Sequence, residues 1–316
     1  DSGPGTSMNP KRPVHTFSIV ARDPRTGEFG VAVQSHWFSV GSIVPWAAAG
    51  VGALATQSFA NPDFGPAGLA LLKAGRSPEQ VLAELLAADP GRDERQVALV
   101  DRHGQVAAHT GERSIPWAGH QMGEGYSVQA NIMVDDRTVP AMASAFEKTQ
   151  GPLGERLLAA LEAGQAAGGD LRGRQSAALR VVGPEATGAF WEDQRIDLRV
   201  DDHPQPIEEL RRLHTLHTAY AWMNSAEALM VRGEMDEAVA HFSRAADLAP
   251  EQTEIALWKA ISLALNQRLE EAMPLFKRIF EDDPNWARFI ERLPQVGMLE
   301  TALAEKILRE RPGKTQ

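Results

Sequence analysis

The stretch TFSIVARDPRTGEFGVAVQS, residues 16–35, decides how this chain is read. Thr16, Ser18 and Val20 alternate with Phe17, Ile19 and Ala21. Beyond a turn rich in Asp23, Pro24 and Gly27, alternation resumes at Phe29, Val31 and Val33. A period of two is what a strand with two distinct faces requires, so the segment is expected to form a β-hairpin. A register centred on Arg25 would set Thr16 opposite Gln34. It would also place Ser18, Gly30 and Ala32 on the side of Thr16, where small side chains leave room for a substrate.

Thr16 opens that hairpin, and its position suggests a chemistry. A threonine that starts a strand with a free α-amine can use that amine, whose ordinary pKa is about 7.7–8.0, to take its own hydroxyl proton. Residues Asp1 to His15 precede it here, and an acylated amine is no base. Either the chain is cut after His15, or Thr16 is a strand threonine without chemistry, as most are. The leader DSGPGTSMNPKRPVH is rich in Gly, Pro and Ser and is expected to be flexible. It reads as the stub of a removed signal peptide or as a vector scar ahead of a native start at Met8.

Several segments, taken in order, carry a resemblance: the hairpin itself, VPWAAAGVGALATQS, NPDFGPAGLALL, AADPGRDERQVALVD and GQAAGGDLRGRQSAAL. Over residues 16–203 the chain resembles domain-of-unknown-function family 1028. That family is similar in fold to the N-terminal-nucleophile hydrolases. The resemblance implies an α+β unit built as a four-layer αββα sandwich and, by analogy, hydrolysis of the amide bond of a small amide or peptide. Many relatives begin Met-Thr-Phe-Ser, where loss of the methionine would leave threonine first. Relatives with a short tail ahead of this strand often look secreted, which implies a periplasmic or secreted location.

Threonine hydrolases of the proteasome kind set a lysine beside the nucleophile, whereas Lys73 and Lys148 are the lysines between Thr16 and Asp202 and both fall on expected helices. The polar residues that lie in segments matching the family are therefore the candidates. Thr16, Asp23, Gln34, Asn131 and Asp170 are the candidate catalytic residues; Ser35, Gln57, Arg172, Gln175 and Ser176 are the candidates for substrate binding. An acyl-transfer site needs donors for the developing oxyanion, a role for the Asn131 amide or a backbone N–H near Gln34. Asp170 and Arg172 can pair in GGDLRGRQS and orient their neighbours, or simply hold that loop in shape. A third alternative is a site in which an uncut Thr16 is passive and Asp23, Asn131, Asp170 and Arg172 bind a small polar ligand.

Composition narrows the rest. The 316 residues suggest about two domains, and 43% hydrophobic residues suffice for a sizeable core. A net charge of −10 argues against nucleic acid or an anionic membrane as partner, since phosphate needs a basic face. With no cysteine there is no disulfide, thiolate nucleophile or Cys-ligated zinc. His36, His103, His109, His120 and His203 lack a ligand spacing such as HExxH, and the glycine-rich stretches match no nucleotide fingerprint, so neither a metal nor a cofactor is expected. Helices are expected near 66–75, 77–88, 137–148 and 152–166, and strands near 95–100, 105–110, 126–133, 176–182 and 195–200, in a largely antiparallel arrangement.

After DDHPQPIEEL the chain turns helical and repeats itself. Ala226, Ala238, Phe242 and Pro250 recur 34 positions later as Ala260, Ala272, Phe276 and Pro284. That period is the tetratricopeptide repeat. Two repeats span about 219–286, and RFIERLPQVGMLETALAEKIL reads as a third, shortened pair or a cap. Domains are thus expected at 16–203 and 204–316. Two repeats are few for independent stability, so they are expected to bind a partner protein, build a homo-oligomer or dock on the first domain.

Overall fold

Two antiparallel sheets grow around the opening hairpin. The structure, a computed structural model, describes Val14 and residues 16–311. Apart from Val14, the leader and the cut after His15 lie outside the described residues. The chain divides into two compact units at Leu213 and His214. The first unit contains, in chain order, β1 (Thr16–Arg22), β2 (Phe29–Ser35), β3 (Pro45–Ala48), β4 (Gly52–Ser58), α1 (Phe64–Lys73), α2 (Pro78–Ala87), β5 (Arg95–Asp101), β6 (Val106–Thr110), β7 (Gly119–Gly123), β8 (Tyr126–Ala130), α3 (Thr138–Lys148), α4 (Leu153–Ala166), β9 (Ser176–Val182), α5 (Phe190–Asp193) and β10 (Gln194–Val200).

One sheet has the order β10-β9-β2-β1-β8-β7 and the other β3-β4-β5-β6, with every pairing antiparallel. Strand β1 sits in the middle of the larger sheet and is buried along nearly its whole length, because both of its faces are covered. Phe17, Ile19 and Ala21 join Leu157, Leu158 and Leu161 of α4 and Met142 and Phe146 of α3 in one core. On the opposite face, Val20 meets Val31 and Val33, and these pack with Ala53, Ala55, Ala98 and Val100 of the smaller sheet. Leu54, Val97 and Leu99, on the far side of that sheet, are covered by Phe64, Leu72, Val81 and Leu85 of α1 and α2. Burial of such apolar surface, at about 25 cal/mol per Å², is what holds these layers together.

The register differs from one centred on Arg25. Thr16 pairs with Ser35, and Phe17 with Gln34. The tighter reason is the turn: Gly27 donates to the Asp23 carbonyl at 2.8 Å and Asp23 to the Glu28 carbonyl at 2.9 Å, so the reversal is centred between Arg25 and Thr26. Gly27 takes φ +75° there, which a side chain disfavours. A shift of one residue exchanges faces, so Gln34, Ala32 and Gly30 lie on the side of the sheet opposite Thr16. The strands β3, β4 and β7 were not among the expected elements; the first two are rich in Ala and Gly and lack the alternation that marks a strand, and β7 is a short polar run between glycines.

The second unit is all helical. Its helices are the C-terminal part of α6 (Pro206–Val231), then α7 (Met235–Leu248), α8 (Thr253–Leu265), α9 (Leu269–Asp282), α10 (Asn285–Arg292) and α11 (Thr301–Ile307). The repeated residues Ala226, Ala238, Phe242, Ala260, Ala272 and Phe276 are all fully buried, which is why they recur. Ala260, Ala272 and Phe276 share a core with Ala287 and Ile290 of α10 and Ala304 and Ile307 of α11, whereas Ala226 and Phe242 lie in a second one.

Candidate functional site

Thr16 is the first residue of β1 and is completely buried. Its hydroxyl donates to the Val14 carbonyl at 2.8 Å and lies 3.5 Å from the Ser35 hydroxyl. Val14 is itself buried, and it exchanges two backbone hydrogen bonds with Ser58 at the end of β4. The chain thus leaves the smaller sheet at Val14 and enters the larger one at Thr16, strapping the two together over the hydroxyl.

Buried amides surround this point. The Thr16 carbonyl accepts from the Asn131 backbone at 3.1 Å and faces the side-chain nitrogens of Asn131 and Gln57 at 3.4 Å each. Gln96 organises both amides: its Oε1 accepts from Gln57 at 2.7 Å and from Asn131 at 2.9 Å. Its own nitrogen donates to Thr110, Gly119 and Ala130. From Gln57 the network continues to the Ser18 hydroxyl at 2.6 Å, which accepts from Gln129 at 2.6 Å, and Gln129 accepts from Ser127. Burying this many polar groups is tolerable only because they satisfy one another. Thr110 also meets His120 Nδ1 at 2.9 Å, and burial, reinforced by the charge of His109, pushes the His120 pKa down.

Two non-glycine residues with positive φ flank the cluster, Ser58 at 68° and Ile132 at 53°. For a β-branched residue such as Ile132 this is a true outlier, held by hydrogen bonds from its N–H to Ile115 and from Leu171 to its carbonyl. Strain of this kind persists where surrounding structure over-determines it, and it gathers at functional sites.

The candidate residues sort by this geometry. Thr16, Ser35, Gln57 and Asn131 come together, and Ser176 joins them as the register partner of Ser35. Ser176 donates to the Trp37 carbonyl and accepts from Val40 at 3.1 Å. Asp170 borders the group by accepting from the His36 backbone at 3.1 Å, just past the end of β2. Arg172 holds Asp170 through its backbone at 2.9 Å and its guanidinium at 2.8 Å. Gln175 donates its backbone N–H to Ser35, while its side chain reaches Asp202.

Two candidates stand apart. Asp23 lies at the far end of β1, on the order of 20 Å away by strand rise. There it accepts from the Arg25 backbone at 2.8 Å and pairs with the guanidinium at 3.1 Å, with Arg156 at 3.8 Å. Burial would raise its pKa, but the hydrogen bonds and charge of Arg25, helped by Arg156, outweigh this and hold it below the usual carboxylate value. Gln34 faces the α3 and α4 side, where neither of its amide atoms has a hydrogen-bond partner among the described residues. Sequence reasoning missed Gln96 and Gln129, and took Ser18 only as a small neighbour of Thr16. The signal available was a glutamine or serine at an inward position of an apolar strand, as in RQVALVD and YSVQA.

Among the described residues no three His, Asp or Glu side chains gather as a metal site, and no helix is long and apolar enough to cross a membrane. Comparison with known proteins gives three results. A family model described as a family of unknown function, DUF1028, matches residues 16–210, and a tetratricopeptide-repeat model matches 220–292. The crystal structure of protein SPO2555 from Silicibacter pomeroyi, a DUF1028 protein, is similar at 32% identity and a TM-score of 0.57, covering 63% of this chain and 88% of that one. No curated protein matches.

Proposed function

This chain belongs to the DUF1028 family, and from that premise we propose that its first unit is a threonine-dependent amidohydrolase of the N-terminal-nucleophile type, acting on a small amide or peptide. The observation that carries the reading is the position of Thr16, a hydroxyl at the first residue of a central strand within a cluster of buried amides. The succession of helices, sheet, sheet and helices supports it as the αββα arrangement of that hydrolase class. Once the bond before Thr16 is cut, the new α-amine takes the Oγ1 proton and Oγ1 attacks the substrate's amide carbon. The carbon–nitrogen bond then breaks, the leaving amine departs with that proton, and water hydrolyses the ester to restore Thr16. Asn131, set by Gln96 and 3.4 Å from the Thr16 carbonyl, takes the oxyanion role. Asp170 and Arg172 position the His36 N–H at the rim, and Ser35, Gln57, Gln175 and Ser176 shape the substrate side.

One observation favours a second reading. The Thr16 hydroxyl is sealed beneath Val14 and committed to its carbonyl, as suits a protein that keeps the fold without the chemistry. In that case the tetratricopeptide repeats, which build protein-interaction surfaces, carry the function as a partner-binding or homo-oligomerising module.

Intact-mass measurement and N-terminal sequencing of wild type beside Thr16→Ala, after incubation near neutral pH, separate the two. We expect a wild-type chain that starts at Thr16 and a mutant left whole. If both stay whole, self-processing is lost and the binding reading replaces it.

A further inference from the structure

The first unit has a second concavity at the end of the sheets remote from Thr16. Thr16 lies in register with Ser176 at the start of β9, whereas Val182, at the other end of that strand, lines this cleft. Its volume is about 750 Å³, within the range of roughly 300–1,000 Å³ usual for small-molecule sites. The turn between β3 and β4 forms one wall and the segment leading into β10 the other. Gly50 donates to the Gly183 carbonyl at 3.2 Å, and a Cβ at Gly50, where φ is +70°, would come within 3.3 Å of the Ala186 nitrogen. The two walls are therefore built to meet closely on one side and to stand apart on the other.

The lining has a definite chemistry. Val51, Leu69, Ala70 and Phe190 present apolar surface, with Phe190 71% exposed. Lys73 and Arg102 also line the cleft, and neither makes an ion pair among the described residues. Of the two acids present, Asp193 accepts from the Thr187 backbone at 2.7 Å and hydroxyl at 2.9 Å, and among the described residues neither it nor Glu185 pairs with Lys73 or Arg102. In a chain of net charge −10, two cations that make no ion pair among the described residues, set beside an apolar wall, are what points to an anionic ligand here.

We infer that this cleft binds a small organic anion, with a carboxylate or similar group held by Lys73 and Arg102 and an apolar body lying against Val51, Leu69 and Phe190. The site is independent of the chemistry proposed for Thr16. It requires no cut before that residue.

Titration calorimetry of the full chain with 2-naphthoate and its uncharged amide tests the assignment. Wild type should bind the acid at one site per chain. Lys73→Gln/Arg102→Gln should weaken that binding by tenfold or more, to the level shown by the amide. Ala70→Trp, which fills the cleft, should abolish binding of both. All three positions are solvent-exposed, so the variants should keep the wild-type melting curve. Absence of saturable binding to wild type, or equal affinity in wild type and both variants, would overturn the assignment.

Discussion

Single residues around Thr16 are held in states that their own chemistry disfavours. Ser58 is the plainest case: its φ of 68° is costly for a residue with a Cβ, and its buried hydroxyl has no hydrogen-bond partner among the described residues. Both penalties vanish in Ser58→Gly, offset in part by the greater freedom of glycine in the unfolded chain. We expect that variant to be more stable by about 1 kcal/mol in urea denaturation. A serine kept at such a position, facing the Val14 strap, fits a site whose geometry is set by something other than stability. Gln96 illustrates the converse, a residue whose amide is fully used and without which Gln57 and Asn131 would each lose an acceptor.

At the scale of elements, the turn between β1 and β2 determines what Thr16 faces. Asp23 caps that turn, and its carboxylate is fully buried between Arg25 and Arg156. Its folded pKa is depressed, so its stabilising contribution is present above the ordinary value of 3.8 and is lost as pH falls through the lower folded value. Urea midpoints followed down from about pH 5 should therefore drop more steeply for wild type than for Asp23→Asn, which has no carboxylate to protonate. Equal slopes would show that the turn is held by its backbone bonds alone. Helix α2 shows the same local logic: Ser77 and Gln80 cap its start reciprocally, as their spacing in the sequence allows.

Across the whole molecule, two kinds of periodicity divide the labour. Period two builds the sheets of the first unit, and the 34-residue repeat builds the helical stack of the second. Phe276 is buried in the shared core of α8 and α9, stacked on Phe280 at 5.9 Å, so Phe276→Ala should cost about 4 kcal/mol. Hydrogen exchange should show the loss in α8, α9 and α10, and a change confined to α9 would contradict a shared core. The family, the antiparallel character, most helices of the first unit and the repeat register were legible in the sequence, because each follows from short-range pattern or from fixed spacing. Thr16, Ser35, Gln57 and Asn131 were legible as candidates for the same reason, being polar residues in matching segments. The register of the hairpin was not, since two neighbouring registers satisfy the same alternation and only the Asp23 to Glu28 turn separates them. Nor was the amide network, because Gln96 and Gln129 come from strands far apart in the chain and find their partners only when the sheets face each other. Sequence alone determined the repeats, the long helices and most strands, β3, β4 and β7 excepted. Only the tertiary structure decided which side chains share a buried face, because that depends on the long-range pairing of strands, which no local pattern encodes.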